Sequence, residues 1–92
     1  SLDLGAYPNP FNPMTEIRFN LNQESRIQVR VFDIRGRAVK VMDAGQHSRG
    51  PVRVTWNGTD RLGSRVATGL YFYQVLANGR QLGETSKLML VK

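Results

Sequence analysis

The chain has 92 residues, enough for one modest hydrophobic core and too few for a catalytic cleft between two lobes. It is 40% hydrophobic and 22% charged, with 9 glycines, 4 prolines and no cysteine, so disulfide staples, thiolate metal sites and a cysteine nucleophile are excluded. Lys40, Lys87 and Lys92 are the only lysines among 13 basic residues, so the net charge of +6 is carried mainly by arginine and suits either an acidic partner or a solvated surface.

The first element is Tyr7-Pro8-Asn9-Pro10-Phe11-Asn12-Pro13. Three prolines fix φ and remove backbone donors, and each residue before a proline is pushed toward extended backbone. A stiff, extended entry spanning 4–11 is expected, with Phe11 as an apolar anchor. Ile17, Phe19 and Leu21 then alternate with Arg18, Asn20 and Asn22, which predicts a half-buried strand over 14–21. Ile27, Val29 and Val31 alternate with Gln28 and Arg30, predicting a strand over 26–34. Arg35-Gly36 reads as a turn into a strand over 37–43. Residues Gly45 to Gly50 read as a polar turn holding His47. Val52, Val54 and Trp56 alternate with Arg53 and Thr55, predicting a strand over 51–56 with Trp56 as the largest core anchor, its indole N–H in need of a partner. A nearly continuous apolar run predicts a strand over 69–77. Asn78-Gly79 is a hairpin signal, because both central residues of a type I′ turn need positive φ. A last strand is predicted over 80–91. No stretch carries a helical stripe, so the fold class is all-β, an antiparallel sandwich of about seven strands.

The 57–69 segment supports two readings. Asn57 and Asp60 are the side-chain oxygen donors of a calcium loop, but calcium takes six to eight ligands. Asx turns with glycine supplying positive φ at Gly58, Gly63 and Gly69 are the other reading, and the favoured one. Asn57-Gly58-Thr59 also fits a glycosylation sequon, although Asn-Gly is a good turn in its own right. Tyr71, just after Gly69, stands where a sandwich places a tyrosine whose hydroxyl ties a corner.

Catalytic chemistry has little support. His47 is the only histidine, Ser48 beside it lacks an identifiable base, and the seven carboxylates are scattered. The chain is expected not to be an enzyme and to hold no metal or other cofactor. No apolar run approaches the roughly 20 residues of a membrane helix, so it is expected not to span a bilayer. It starts at Ser1, and its first methionine is Met14. It is therefore expected to be a single domain, 1–92, cut from a longer protein, with 1–6 a linker remnant.

Four segments together resemble a known family. Pro8, Asn9, Pro10, Phe11, Asn12 and Pro13, followed by Thr15, Ile17 and Phe19, are similar to the opening of the C-terminal sorting domains of the type IX (Por) secretion system. Val31 to Arg37, with Asp33, Gly36 and Arg37, resembles their second motif. Trp56, Gly58 and Asp60, then Gly63, Gly69 and Tyr71, resemble the third. Lys87, Leu88, Met89, Leu90, Val91 and Lys92 resemble the terminal strand. The likeness runs in the right order over 7–92. A similar pattern occurs in the immunoglobulin-like domain of flagellar hook-capping proteins.

The resemblance implies an immunoglobulin-like sandwich at the end of an exported protein. It implies passage through the periplasm to the cell surface or medium. The implied partners are the outer-membrane secretion machinery, its sorting protease and an upstream cargo domain in the same chain, with anionic lipopolysaccharide as an attachment surface. The last strand, 87–92, offers a main-chain edge with charge for strand addition. Arg18, Arg26, Arg30 and Arg53 are candidates for one basic face, or else for edge protection. A structural or adhesive module is the alternative, binding carbohydrate through exposed aromatics such as Phe72 or Tyr73. Nucleic acid is not an expected partner, since no arginine-aromatic motif of a known reader is present.

Overall fold

Period-two alternation sets the architecture. In Thr15–Leu21, Thr15, Ile17, Phe19 and Leu21 are buried, while Glu16, Arg18 and Asn20 face outward. The computed structural model describes residues 4–10 and 14–91. Its strands are β1 (Gly5–Tyr7), β2 (Thr15–Leu21), β3 (Ser25–Phe32), β4 (Ala38–His47), β5 (Gly50–Trp56), β6 (Gly69–Ala77) and β7 (Arg80–Leu90). They form two antiparallel sheets, in the orders β1-β2-β5 and β4-β3-β6-β7.

The inward residues of both sheets meet in one core. Ile17, Phe19, Val52, Val54 and Trp56 come from the first sheet, and Ile27, Val29, Val31, Tyr71, Tyr73, Val75, Leu88 and Leu90 from the second. This is the expected all-β immunoglobulin-like sandwich. Trp56 is 1% exposed, and its Nε1 donates to the Thr59 carbonyl at 2.9 Å, the partner its burial demands. The Tyr71 ring meets it edge to face, with centroids 5.6 Å apart. The Tyr71 hydroxyl donates to the Ala67 carbonyl at 2.6 Å, so the corner tie expected of this tyrosine is present. At the β6–β7 hairpin both Asn78 (φ 51°) and Gly79 (φ 83°) take positive φ, as the Asn-Gly signal requires.

Several expected boundaries move. The opening strand is three residues long, because backbone pairing with β2 runs only from Gly5 to Tyr7. Residues Pro8 to Pro10 bend away, and Phe11, Asn12 and Pro13 lie outside the described residues. The 26–34 strand stops at Phe32, where Asp33 begins a closed loop. The fourth strand extends past 43 to His47, because Asp43 to His47 pair with β3 across a bulge between Ile27 and Gln28. The polar turn thus shrinks to Ser48 and Arg49. His47 is a half-buried strand residue with a ring nitrogen 3.0 Å from the Ala44 carbonyl, not a solvated loop residue.

With its indole enclosed and hydrogen-bonded, Trp56→Ala should lower unfolding free energy by about 3–5 kcal/mol, and Tyr71→Phe by about 1 kcal/mol. Urea melts of the two variants check this ranking, which a Trp56→Ala loss below about 1 kcal/mol would sink.

Candidate functional site

The two ends of the chain meet at one sheet edge. β7 is the outer strand of its sheet, pairing with β6 on one side only. The Asn9 side chain lies against the other side. Its Nδ2 donates to the Lys87 carbonyl at 3.1 Å, and its Oδ1 accepts the Met89 N–H at 2.9 Å. One side-chain amide therefore satisfies two neighbouring main-chain groups of the last strand. The segment that delivers Asn9 is itself tied down. The Pro8 carbonyl accepts the Thr15 hydroxyl at 2.7 Å, and the Arg18 guanidinium lies 5.2 Å from the Tyr7 ring centroid. Residues 7–10 thus cross from the β1 sheet to the β7 sheet, and Asn9 covers part of the latter's edge.

This changes what the terminal strand offers. Leu88 and Leu90 are core residues, 0% and 5% exposed, so their side chains are withheld from a partner. Lys87, Met89 and Val91 are exposed, and Lys92 lies outside the described residues. The edge proposed for strand addition is already occupied between Lys87 and Met89.

The second and third motifs fold into the same five-residue loop, a likeness that sequence reading missed. In Asp33-Ile34-Arg35-Gly36-Arg37, the Asp33 N–H donates to the Arg37 carbonyl and the Gly36 N–H to the Asp33 carbonyl, both at 3.0 Å. Asp33 Oδ1 accepts the N–H groups of Arg35 and Arg37 at 2.9 and 3.0 Å. In Asp60-Arg61-Leu62-Gly63-Ser64, Asp60 bonds Ser64 and Gly63 through the backbone in the same way, at 2.8 and 3.0 Å. Asp60 Oδ1 accepts the N–H groups of Leu62 and Ser64 at 2.9 and 3.0 Å. Gly36 (φ 81°) and Gly63 (φ 85°) hold the one left-handed position each loop needs. The signal the two share in the sequence is Asp-x-x-Gly.

The loops lie side by side, with Asp33, Arg37, Asp60, Leu62 and Tyr71 lining one open groove. Lys40 Nζ reaches the Asp60 carbonyl at 3.1 Å, joining β4 to the second loop. Asp60 spends its Oδ1 on its own backbone, and Asn57 Oδ1 accepts the Thr59 hydroxyl at 2.6 Å, which is turn chemistry. Among the described residues no group of three metal-ligating side chains gathers.

Two further expectations are corrected. The four arginines do not share a face, because they alternate outward from different sheets. Arg18 and Arg53 pair across β2 and β5, whereas Arg26 and Arg30 lie on β3. Arg18 pairs with Glu16 at 2.9 Å and Arg26 with Asp43 at 2.7 Å. Tyr73 is not an exposed aromatic: at 2% exposed it is core, because residues 71, 73 and 75 of β6 point inward, leaving Phe72 half-buried on the outer face.

The Arg37 N–H, followed by the Arg35 N–H and the Arg37 guanidinium, holds the Asp33 carboxyl below its ordinary value of 3.8. Asp43 is likewise lowered, by Arg26 first and then by the Gly45 N–H. Burial pushes the Tyr71 and Tyr73 hydroxyls up, with Asp33 adding to the effect on Tyr71. A carboxylate lowered on folding contributes stability above its unfolded value and loses it as the pH falls through its folded one. Unfolding free energy should therefore be level near neutrality and decline as the pH drops through 3.8 and below. The double variant Asp33→Asn, Asp43→Asn should flatten that acid limb in urea melts at several pH values; an unchanged slope would remove both groups from the account.

No curated protein sequence matches the chain. Among solved structures it is similar to the dimeric latent PorU of Porphyromonas gingivalis, with TM-score 0.83 and 23% identity over 98% of this chain and 9% of that one. It is also similar to PorZ of the same organism, a surface component of its type-IX secretion system, with TM-score 0.64 and 20% identity over 98% of this chain and 12% of that one. FlgD of P. aeruginosa matches with TM-score 0.64 and 28% identity over 82% of this chain and 60% of that one. The chain thus spans less than two thirds of each of these proteins. Residues 12–81 match the FlgD Ig-like domain, and the chain belongs to that family.

Proposed function

We propose that the chain is a sorting and anchoring domain. In this role it is an address carried by an exported protein, read in the periplasm by an outer-membrane type IX machinery, then cleaved or used to attach cargo at the surface. The observation that carries this reading is the Asn9 bridge. It brings residues 8–10 at one end of the motif pattern against the exposed Lys87 and Met89 at the other, as one surface that a receptor can read as a unit. The full order of sorting-domain motifs supports the same reading. So does the solved structure of PorZ, a surface component of a type-IX secretion system in which a similar fold makes up a small part of the chain. In this role the domain does no catalysis, and any enzymatic activity belongs to the cargo. Lipopolysaccharide as the attachment surface rests on the net charge of +6 alone.

A structural module of a larger extracellular assembly is the second reading, favoured by the match of residues 12–81 to the FlgD Ig-like domain. A fusion experiment separates the two. Residues 1–92 are joined to the C-terminus of a periplasmic fluorescent reporter, in a type IX-competent host and in its translocon-null mutant. Sorting predicts reporter at the surface or in the medium only when the translocon is intact. Folded fusion retained in the periplasm of both strains would overturn sorting and leave the structural role.

A further inference from the structure

Among the described residues, the two most exposed large apolar side chains are Leu62, at 91%, and Ile34, at 71%. Each stands on one of the Asp-capped loops, and the two loops border one groove. A single exposed aliphatic residue is ordinary on a protein surface, but this pair is set among cations. Arg35 and Arg37 belong to the first loop, Arg61 and Arg65 to the second and its exit, and all four are exposed. Among the described residues only Arg37 of the four forms an ion pair, with Asp33 of its own loop at 3.1 Å. Asp33 and Asp60 turn their Oδ1 atoms onto backbone N–H groups, which fixes both tips before any partner arrives.

We infer that this end of the sandwich docks on an anionic phospholipid bilayer. Ile34 and Leu62 enter the boundary between head groups and acyl chains, while Arg35, Arg37, Arg61 and Arg65 meet the lipid phosphates. Charge complementarity carries the first half of the argument. One arginine close to an anionic bilayer strengthens partition roughly fivefold, and its planar guanidinium matches phosphate geometry. The aliphatic tips carry the second half. A soluble polyanion offers Leu62 and Ile34 nothing, and a protein partner would need a matched pocket for each. The fluid acyl boundary receives both without one. Because the aspartate caps already hold the loops, contact costs little further ordering. The inference does not depend on the sorting role and is tested on the purified chain.

The test is co-sedimentation with phosphatidylcholine vesicles, with and without phosphatidylglycerol. The chain should pellet only with the anionic vesicles, and less as salt rises. Arg35→Gln with Arg61→Gln should weaken partition roughly fivefold per charge removed. Arg49 and Arg80 lie at the opposite end, beside the start of β3. Arg49→Gln with Arg80→Gln removes the same charge there and should bind nearly as the parent does. Ile34→Ser with Leu62→Ser, which leaves the charge intact, should weaken partition about tenfold or more. Failure to pellet with anionic vesicles overturns the inference. Equal losses in the two arginine pairs overturn the site. Unchanged binding of the serine pair leaves only adsorption of the kind any polyanion gives, and overturns bilayer docking. If the serine pair fails to fold, Leu62→Trp reads insertion directly. Brominated acyl chains should quench the new indole, whereas the parent's Trp56, 1% exposed, should be spared. An unquenched new indole overturns the proposal.

Discussion

The buried Trp56 ring is what the rest of the structure is organised around. It ends β5 on the first sheet, and its edge-to-face partner Tyr71 comes from the second, so the pair joins the layers at one end of the sandwich. A buried indole N–H without a partner costs free energy comparable to a lost hydrogen bond. The Thr59 carbonyl meets that requirement only if the chain turns sharply after Asn57. The left-handed Gly58 and the isolated antiparallel bridge between Thr59 and Arg65 supply the turn. Tyr71 then imposes a second condition, drawing the Ala67 carbonyl to its hydroxyl. A twelve-residue connection that reads as open loop is held at both ends by core aromatics.

The two Asp-capped loops solve the same problem without a core. A tight connection leaves backbone N–H groups exposed to competition from water, and one carboxylate oxygen in each loop gathers two of them. Both line one groove with Tyr71, and Lys40 ties the second of them to β4. This end of the sandwich is therefore ordered by short polar contacts laid over an aromatic foundation. The other open side is closed by the opening segment instead, through Thr15, Arg18 and Asn9.

Alternation made the fold legible. Ile17, Phe19, Val29, Val31, Val52 and Val54 each announce an inward position, and local signals placed the Asn78-Gly79 turn and the Tyr71 corner. What sequence could not show was pairing at a distance. Nothing local to Asn9 says that its side chain will meet Lys87 and Met89, because that contact depends on where two sheet edges come to lie. The extension of β4 to His47 was hidden for a similar reason: Gly45 and Gln46 carry no strand signal, and β3 recruits them across a bulge. The arginines misled because alternation gives the side of a strand but not the sheet to which the strand belongs.

Most residues of the motif pattern have folding duties that the structure accounts for. Asp33 and Asp60 cap loops, Gly36 and Gly63 take left-handed backbone, Trp56 and Tyr71 anchor the end of the core, and Asn9 covers an edge. Proteins with different tasks can share such a pattern, since each duty follows from the sandwich itself. What distinguishes one member's task from another's must then sit where the fold leaves a choice. In this chain those positions are the exposed loop tips Ile34 and Leu62, the outward Lys87 and Met89, and the arginines that flank the loops. Exchanging these between family members, with the capping and core residues held constant, should leave the fold unchanged, since none of them belongs to the core or to a loop cap.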